Sequence, residues 1–431
     1  MDYSYSKHYI PEQKKPKFDL TNQLFIPSYG WNKNHYYHYV NFDDLSYKHW
    51  KVSYKSDYEN MQNRLKSNVD YSPNNDLLDH INFSFVPHSS IIHNDRVYVF
   101  SVNAVYFTVI DTKLNTVCQV YEEQQKMISS TNVIVGDSLF YGRYSAEDRL
   151  KNIVYGTPIP SEIVCLNLKT LQTEVICMFE SCNIIHSVSV NPEGRYIIAI
   201  STTADPYIPF SQRKKTYSED ELKKMLDAGL KDSQVHIFDR KQRTYQVILM
   251  NDSPAHVEFG NDPNTCYISS HSLGVNPYDG FVYCFGKGAI NRLTLGQTSK
   301  VTQKYQGEDF SRLSTHKVYE RNGKQFIAVT VYPQQIYIIE AESMRLTAKI
   351  KLADSIMPAT LQHGAYRYPR VDKTPFSVHP INDSPYFLLI TGKAIQVYNY
   401  DKMEEEYRYL YNVLKDPIAV LGHSYKNERE V

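Results

Sequence analysis

From about Phe83 onward the chain alternates apolar and polar residues with a period of two, in short runs broken by turn residues. Such alternation marks half-buried β-strands. Val97–Ser101, Val105–Asp111 and Thr116–Tyr121 are runs of this kind, with turns at Asn103 and at Lys113–Asn115. The phrase VIDTKLNTVCQVY places two β-rich runs around a polar turn. It returns as VCLNLKTLQTEVICMF, VHIFDRKQRTYQVILM and IYIIEAESMRLTAKIKL, and more weakly as IQVYNYDKMEEEYRYL. Each reads as the outer hairpin of a repeated sheet.

A second phrase precedes these hairpins: a histidine, a short turn and a β-rich run. The copies are HSSIIHNDRVYVFS from His88, HSVSVNPEGRYIIAIS from His186, HVEFGNDPNTCYISS from His256, HKVYERNGKQFIAVT from His316 and HPINDSPYFLLITG from His379. A sixth copy, NVIVGDSLFYG from Asn132, lacks the histidine. Opener plus hairpin makes a four-stranded unit. Successive openers lie 44 to 70 residues apart, against about 40–50 for a propeller blade, so the longer units hold insertions. The pattern predicts an all-β fold, a six- or seven-bladed β-propeller over residues 83–431. An irregular N-terminal arm over residues 1–82 precedes it. In the seven-bladed form, the arm or the tail near Val413–Leu421 supplies the closing strands. One insertion, at about 213–232, reads as helical: SEDELKKMLDAGLKD has Ser218 as N-cap, Glu219, Asp220 and Glu221 in the first turn, and an S-x-x-E capping box.

The inner strand of each blade lines the propeller axis, so a residue repeated at one place in successive blades points to a common centre. Several imidazoles there suit Fe, Mn, Zn or Cu, and imidazole also serves as a base near neutral pH. The candidate ligands are His186, His256, His271, His316 and His379. His271 joins them because it ends the next strand of the His256 unit. The competing reading is structural, with each histidine hydrogen-bonded inside its own blade as in WD40 repeats. The residues before the histidines vary (Pro87, Ile185, Ala255, Thr315, Val378) and no W-D dipeptide partners them. His363 stands in LQHGAYRYPR with Arg367 and Arg370, guanidinium groups suited to a substrate carboxylate. A solvated charged loop is the alternative there. His8, His35, His38, His49, His80, His93, His236 and His423 fit no repeat position and read as surface or packing residues.

Composition narrows the function classes. Lys plus Arg and Asp plus Glu both number 47, so no net charge draws the chain to nucleic acid or an anionic membrane. No pair among Cys118, Cys165, Cys177, Cys182, Cys266 and Cys284 has C-x-x-C spacing, which removes zinc-ribbon and thioredoxin motifs. The N-terminal MDYSYSKHYIPEQKK lacks the apolar core of a signal peptide, and no apolar run approaches a membrane span. The expected location is cytoplasmic, with reduced thiols. Phosphate-binding glycine loops and a G-x-S-x-G elbow are absent.

The run PAHVEFGNDPNTCYISSHS is similar to a segment of the oligogalacturonate lyases, which carries a histidine, a D-P or D-D turn, a strand and a second histidine in a C-H-E-G-P phrase. His256 and His271 match those histidines in spacing, with SHSLG in place of the C-H-E-G-P phrase. LSTHKVYERNGKQFIAVTVY resembles the family's T-H-E-F…D-G segment. SVHPINDSPYFLLITG resembles its H-P-H-P segment, with Ser377 where the first histidine stands. The resemblance spans roughly residues 183–392 and implies a cytosolic seven-bladed propeller that cleaves short uronate oligomers by metal-dependent β-elimination. It further implies His316 and His379 as ligands, His256 as the base that removes the proton α to the carboxylate, and Arg367 or Arg370 as the carboxylate clamp. The expected cofactor is a divalent metal ion, Fe or Mn first, and the expected partner a small-molecule or oligosaccharide substrate. Two other readings compete: a non-haem iron oxygenase with a multi-histidine centre, by analogy of fold and site alone, and a non-enzymatic interaction propeller with dispersed histidines.

Overall fold

The computed structural model describes residues 2–9, 22–29, 34–42, 44, 46–54, 56, 59–60, 63, 87–101, 104–122, 124, 126–155, 157–181, 184–202, 218–275, 282–307, 313–331, 335–351, 377–390, 394–410, 419–420 and 424–427. Their strands pair into seven antiparallel sheets, the blades of a β-propeller. Blades 1 to 6 run in chain order: Pro87–Tyr121, Met127–Ser181, Ile184–Leu249, Ser253–Tyr305, Leu313–Lys351 and Ser377–Leu410. Blade 7 joins the two ends of the chain. Asn22–Tyr29, Asn34–Asn41 and Ser46–Ser53 stand side by side, Asp2–Tyr9 adds an outer strand, and Ala419–Val420 and Ser424–Asn427 pair along Asn22–Tyr29. Residues that read as irregular on the sequence pattern thus supply four regular strands. Ring closure pairs Phe25 with Ser424.

The core is annular rather than central. Seven apolar clusters sit one between each pair of neighbouring blades. Blade 7 meets blade 6 through Leu24, Ile26, Val40 and Leu388, and blade 1 through Phe25, Tyr37, Trp50, Val97 and Ile110. This division explains how 431 residues bury apolar surface without one oversized core.

Antiparallel pairing sends successive connections to opposite faces of the disc. We call upper the face on which the inner strands begin. The lower face carries short hairpins with left-handed residues such as Asn94, Asn115, Gly136, Leu171 and Gly194. Its turns are stabilised by side chains: Asp111 accepts from the Lys113 and Leu114 N–H groups at 3.0 and 2.7 Å, and Asn167 accepts from Lys169 and Thr170 at 2.9 Å. These are the polar turns of the repeated hairpin phrase.

The insertions belong to the upper face. Helix Ala146–Tyr155 interrupts blade 2, helix Glu219–Asp232 interrupts blade 3, and blade 4 extends the long hairpin Thr265–Val275 and Val282–Thr294. The second helix packs over that hairpin. It starts where the sequence places it, and both arms of its capping box form: the Glu221 N–H donates to Ser218 Oγ at 3.3 Å and the Ser218 N–H to Glu221 Oε2 at 2.9 Å. The first helix was not expected, although Ser145 with Glu147 and Asp148 marks its start, and the Asp148 N–H donates to Ser145 Oγ at 3.2 Å. No helix among the described residues is long and apolar enough to cross a membrane.

Candidate metal centre

All five repeat histidines stand on an inner strand: His88 in Pro87–His93, His186 in Ile184–Val190, His256 in Ser253–Phe259, His316 in Leu313–Arg321 and His379 in Ser377–Pro380. Strand position alone does not aim them. The ladder slips between Pro87 and Ser89 and between Ile185 and Ser187, which leaves His88 and His186 as the extra residues of β-bulges. It slips again between Pro254 and His256 and between Leu313 and His316. A bulge bends the strand and re-aims the side chain beside it. His379 sits in regular register opposite Leu388.

The result is a convergence of three. His88, His186 and His256 each offer a ring nitrogen, and these atoms all lie within 4.8 Å of one another. Ring centroids are 4.8 Å apart for His88 and His186, 5.0 Å for His186 and His256 and 5.5 Å for His88 and His256. A tetrahedral ion about 2.0–2.1 Å from each nitrogen needs N···N spacings of roughly 3.3 Å. The 4.8 Å limit exceeds that spacing, so an ion would draw the rings together. Blade 2 adds hydroxyls: Ser130 Oγ lies 3.2 Å from His186 Nδ1 and Thr131 Oγ1 lies 3.3 Å from His88 Nδ1. Close packing of blades 2 and 3 depends on Gly142, where a Cβ would come within 2.5 Å of Ile185, the neighbour of His186.

The environment keeps these imidazoles neutral. Burial pushes His88 down to about 4. Burial first, and then the neighbouring imidazoles, hold His186 and His256 well below the usual histidine range. A neutral imidazole has a lone pair to give a metal. The same depression makes the metal-free protein acid-sensitive. The unfolded chain takes up a proton at His88 near pH 6.5, the folded chain only near pH 4. Stability from this group is therefore complete above pH 6.5 and is lost as pH falls towards 4. A shift of that size corresponds to about 3 kcal/mol at most. We expect the urea midpoint of metal-free protein to fall between pH 7 and pH 5, and His88→Gln to flatten that slope. A midpoint unchanged over this interval would show that these groups titrate normally.

His271 and His316 stand around the set. His271 is buried and within electrostatic reach of His186 and His256. His316 is 2 % exposed and acts electrostatically on His256. Its Nε2–H donates to the Tyr267 carbonyl at 3.1 Å, while its buried Nδ1 has no hydrogen-bond partner. His379 lies on the inner strand of blade 6 and is not in the convergent group. Blades 5 and 6 are consecutive, so no blade stands between His316 and His379. His363, Arg367 and Arg370 lie outside the described residues, as do His80 and His423.

Two groups at the site were not in the ligand set read from the sequence. His88 opened the repeat but was left out, although its place equals that of His186. Ser130 and Thr131 stand just before the one opener without a histidine, and that substitution was the available signal. His236, read as a surface or packing residue, hydrogen-bonds Tyr245 Oη at 2.6 Å and Ser201 Oγ at 3.2 Å and stacks on Phe179.

No family model matches this chain, and no curated protein matches it. The solved structures that match number 1195 chains, as expected of an architecture reused across many functions. One is the dihydro-heme d1 dehydrogenase NirN in complex with DHE. It is similar over 98 % of this chain and 80 % of its own, at 10 % identity and a TM-score of 0.49. At that distance the chain is identified by its strand pairing alone, as an all-β, seven-bladed propeller with a group of histidines between its inner strands.

Proposed function

We propose that this protein is a metal-dependent β-propeller enzyme whose divalent ion is held by His88, His186 and His256. One observation carries the reading: three imidazoles from blades 1, 3 and 4, their pKa values lowered by burial, bring ring nitrogens within 4.8 Å of one another. An interaction propeller has no need of that convergence, since burying neutral imidazoles against one another costs solvation. The group consists of histidines alone. Imidazole suits Fe, Zn, Cu and Ni, whereas carboxylate and carbonyl oxygen suit Mn. Of the two metals expected from the sequence, iron is the better match.

Three neutral ligands leave the ion its full double charge. When bound, such an ion would supply Lewis-acid chemistry, polarising a carboxylate or carbonyl oxygen of the substrate. The chain's own residues supply the rest. The three imidazoles would hold the ion, and the helices and the long hairpin of blade 4 lie on the upper face. A lyase acting on a uronate-like or other carboxylate-bearing substrate, small molecule or oligosaccharide, is the finer reading. Its remaining parts are Arg367 or Arg370 for the carboxylate, and a base. His256 serves less well as that base once it is a ligand. A non-haem iron oxygenase is the second chemistry, favoured by the presence of His271 near both His186 and His256.

Elemental analysis tests the common claim. Purified protein loaded anaerobically with Fe2+ or Zn2+ and then desalted should retain about one ion per chain. The variant with His88, His186 and His256 all changed to Ala should retain none. Equal retention by both proteins would refute the centre.

A further inference from the structure

We propose that Ser130 and Thr131 are positioning residues of this centre, holding His186 and His88 in the tautomer that presents Nε2. The inference rests on the metal-binding reading of the three histidines. Blade 2 lies between blades 1 and 3 but brings no histidine of its own. At the corresponding place its inner strand is interrupted between Met127–Ile128 and Val133–Val135, and Ser130 and Thr131 fill the interruption. Their hydroxyls reach the Nδ1 atoms of His186 and His88, one each.

The pair is anchored on both sides. The Thr131 N–H donates to the His186 carbonyl at 3.0 Å, and the Val188 N–H donates to the Thr131 carbonyl at 2.8 Å. These bonds form a parallel bridge between Thr131 and Ser187, tying blade 2 to blade 3 beside the histidine. On the other side, Ser89 Oγ–H donates to the Ser130 carbonyl at 2.7 Å, tying it to blade 1 beside His88. Ser130 is itself 2 % exposed. Thr131 thus grips the backbone of one ligand while its hydroxyl meets the ring of the other.

A ligating histidine commonly donates its second ring N–H to a neighbouring acceptor, which fixes both tautomer and ring orientation. The hydroxyl oxygens are such acceptors. With Nδ1–H donated to them, the Nε2 lone pairs of His88 and His186 are the ones left to face His256. A hydroxyl, unlike a carboxylate, adds no negative charge. The ion keeps its electrophilic character while its ligands are held still.

The test uses full-length protein, with Zn2+ affinity read by chelator competition and Co2+ loading read by visible absorption. The double variant Ser130→Ala, Thr131→Val should bind Zn2+ roughly 10- to 100-fold more weakly and should give a changed Co2+ spectrum. The single conservative variant Thr131→Ser, which keeps both hydroxyls, should retain wild-type affinity and spectrum. The single variants carry the same test if the double variant loses its far-ultraviolet dichroism. Wild-type affinity and spectrum in every hydroxyl-free variant would overturn the positioning role while leaving the centre intact. Failure of the wild type to bind either ion would overturn the centre and this inference together.

Discussion

His256→Ala should weaken metal binding by at least about 100-fold. Structural zinc sites with four ligands gain roughly 10–16 kcal/mol, so one ligand is worth roughly 2.5–4 kcal/mol, on the order of 100-fold or more in affinity. His256 joins His88 and His186 in one group, and its ring is close to both. Two imidazoles remain in the variant, too few to hold an ion against desalting. The sequence reading placed His256 among the candidate ligands, and the family resemblance also made it the base; as a base alone, its loss would abolish turnover while the metal stayed. Chelator competition separates the two outcomes. His379→Ala is the companion variant, because His379 stands in regular register outside the group. It should bind the ion as the wild type does. Metal loss in His379→Ala with retention in His256→Ala would reverse the assignment.

Trp50→Ala should destabilise the whole propeller by about 3–5 kcal/mol. Trp50 has no exposed surface and belongs to the cluster joining blade 7 to blade 1. Its ring lies 5.5 Å from that of Tyr5, and its indole N–H donates to the Asn115 carbonyl of blade 1 at 3.3 Å. Truncation leaves a cavity on the seam that closes the ring and strips that carbonyl of its donor. Blade 7 is assembled from both ends of the chain, so its loss opens the ring rather than fraying an end. The expected readout is one cooperative urea transition shifted to lower denaturant. An unshifted midpoint would mean that blade 7 lies outside the cooperative unit.

Much of this architecture was legible because period-two alternation and turn residues recur together. The outer hairpins lie where phrases such as VIDTKLNTVCQVY place them, and the histidine openers are the inner strands of blades 1, 3, 4, 5 and 6. Blade 7 was harder to see. Its strands NHYYHYVN and SYKHWKVS bury Tyr37, Tyr39, Tyr47 and Trp50, not the Val and Ile runs of the other blades. Its last partner strands lie at the far end of the chain, and pairing between distant segments leaves no local mark. That is why six and seven blades read alike in the sequence. The convergent set was half legible for a similar reason. Repeat position brings a histidine to the axis, but bulges at His88 and His186 decide where it points, and no residue pattern announced those bulges. The hydroxyls of Ser130 and Thr131 acquire meaning only once blades 1, 2 and 3 are side by side.

The most direct test of the metal centre is anomalous diffraction from crystals of iron- or zinc-loaded protein, measured on either side of the metal's absorption edge. We expect one dominant peak, present above the edge and lost below it, between the rings of His88, His186 and His256, about 2.0–2.1 Å from a nitrogen of each. No peak there, or a peak among other residues, would contradict the account.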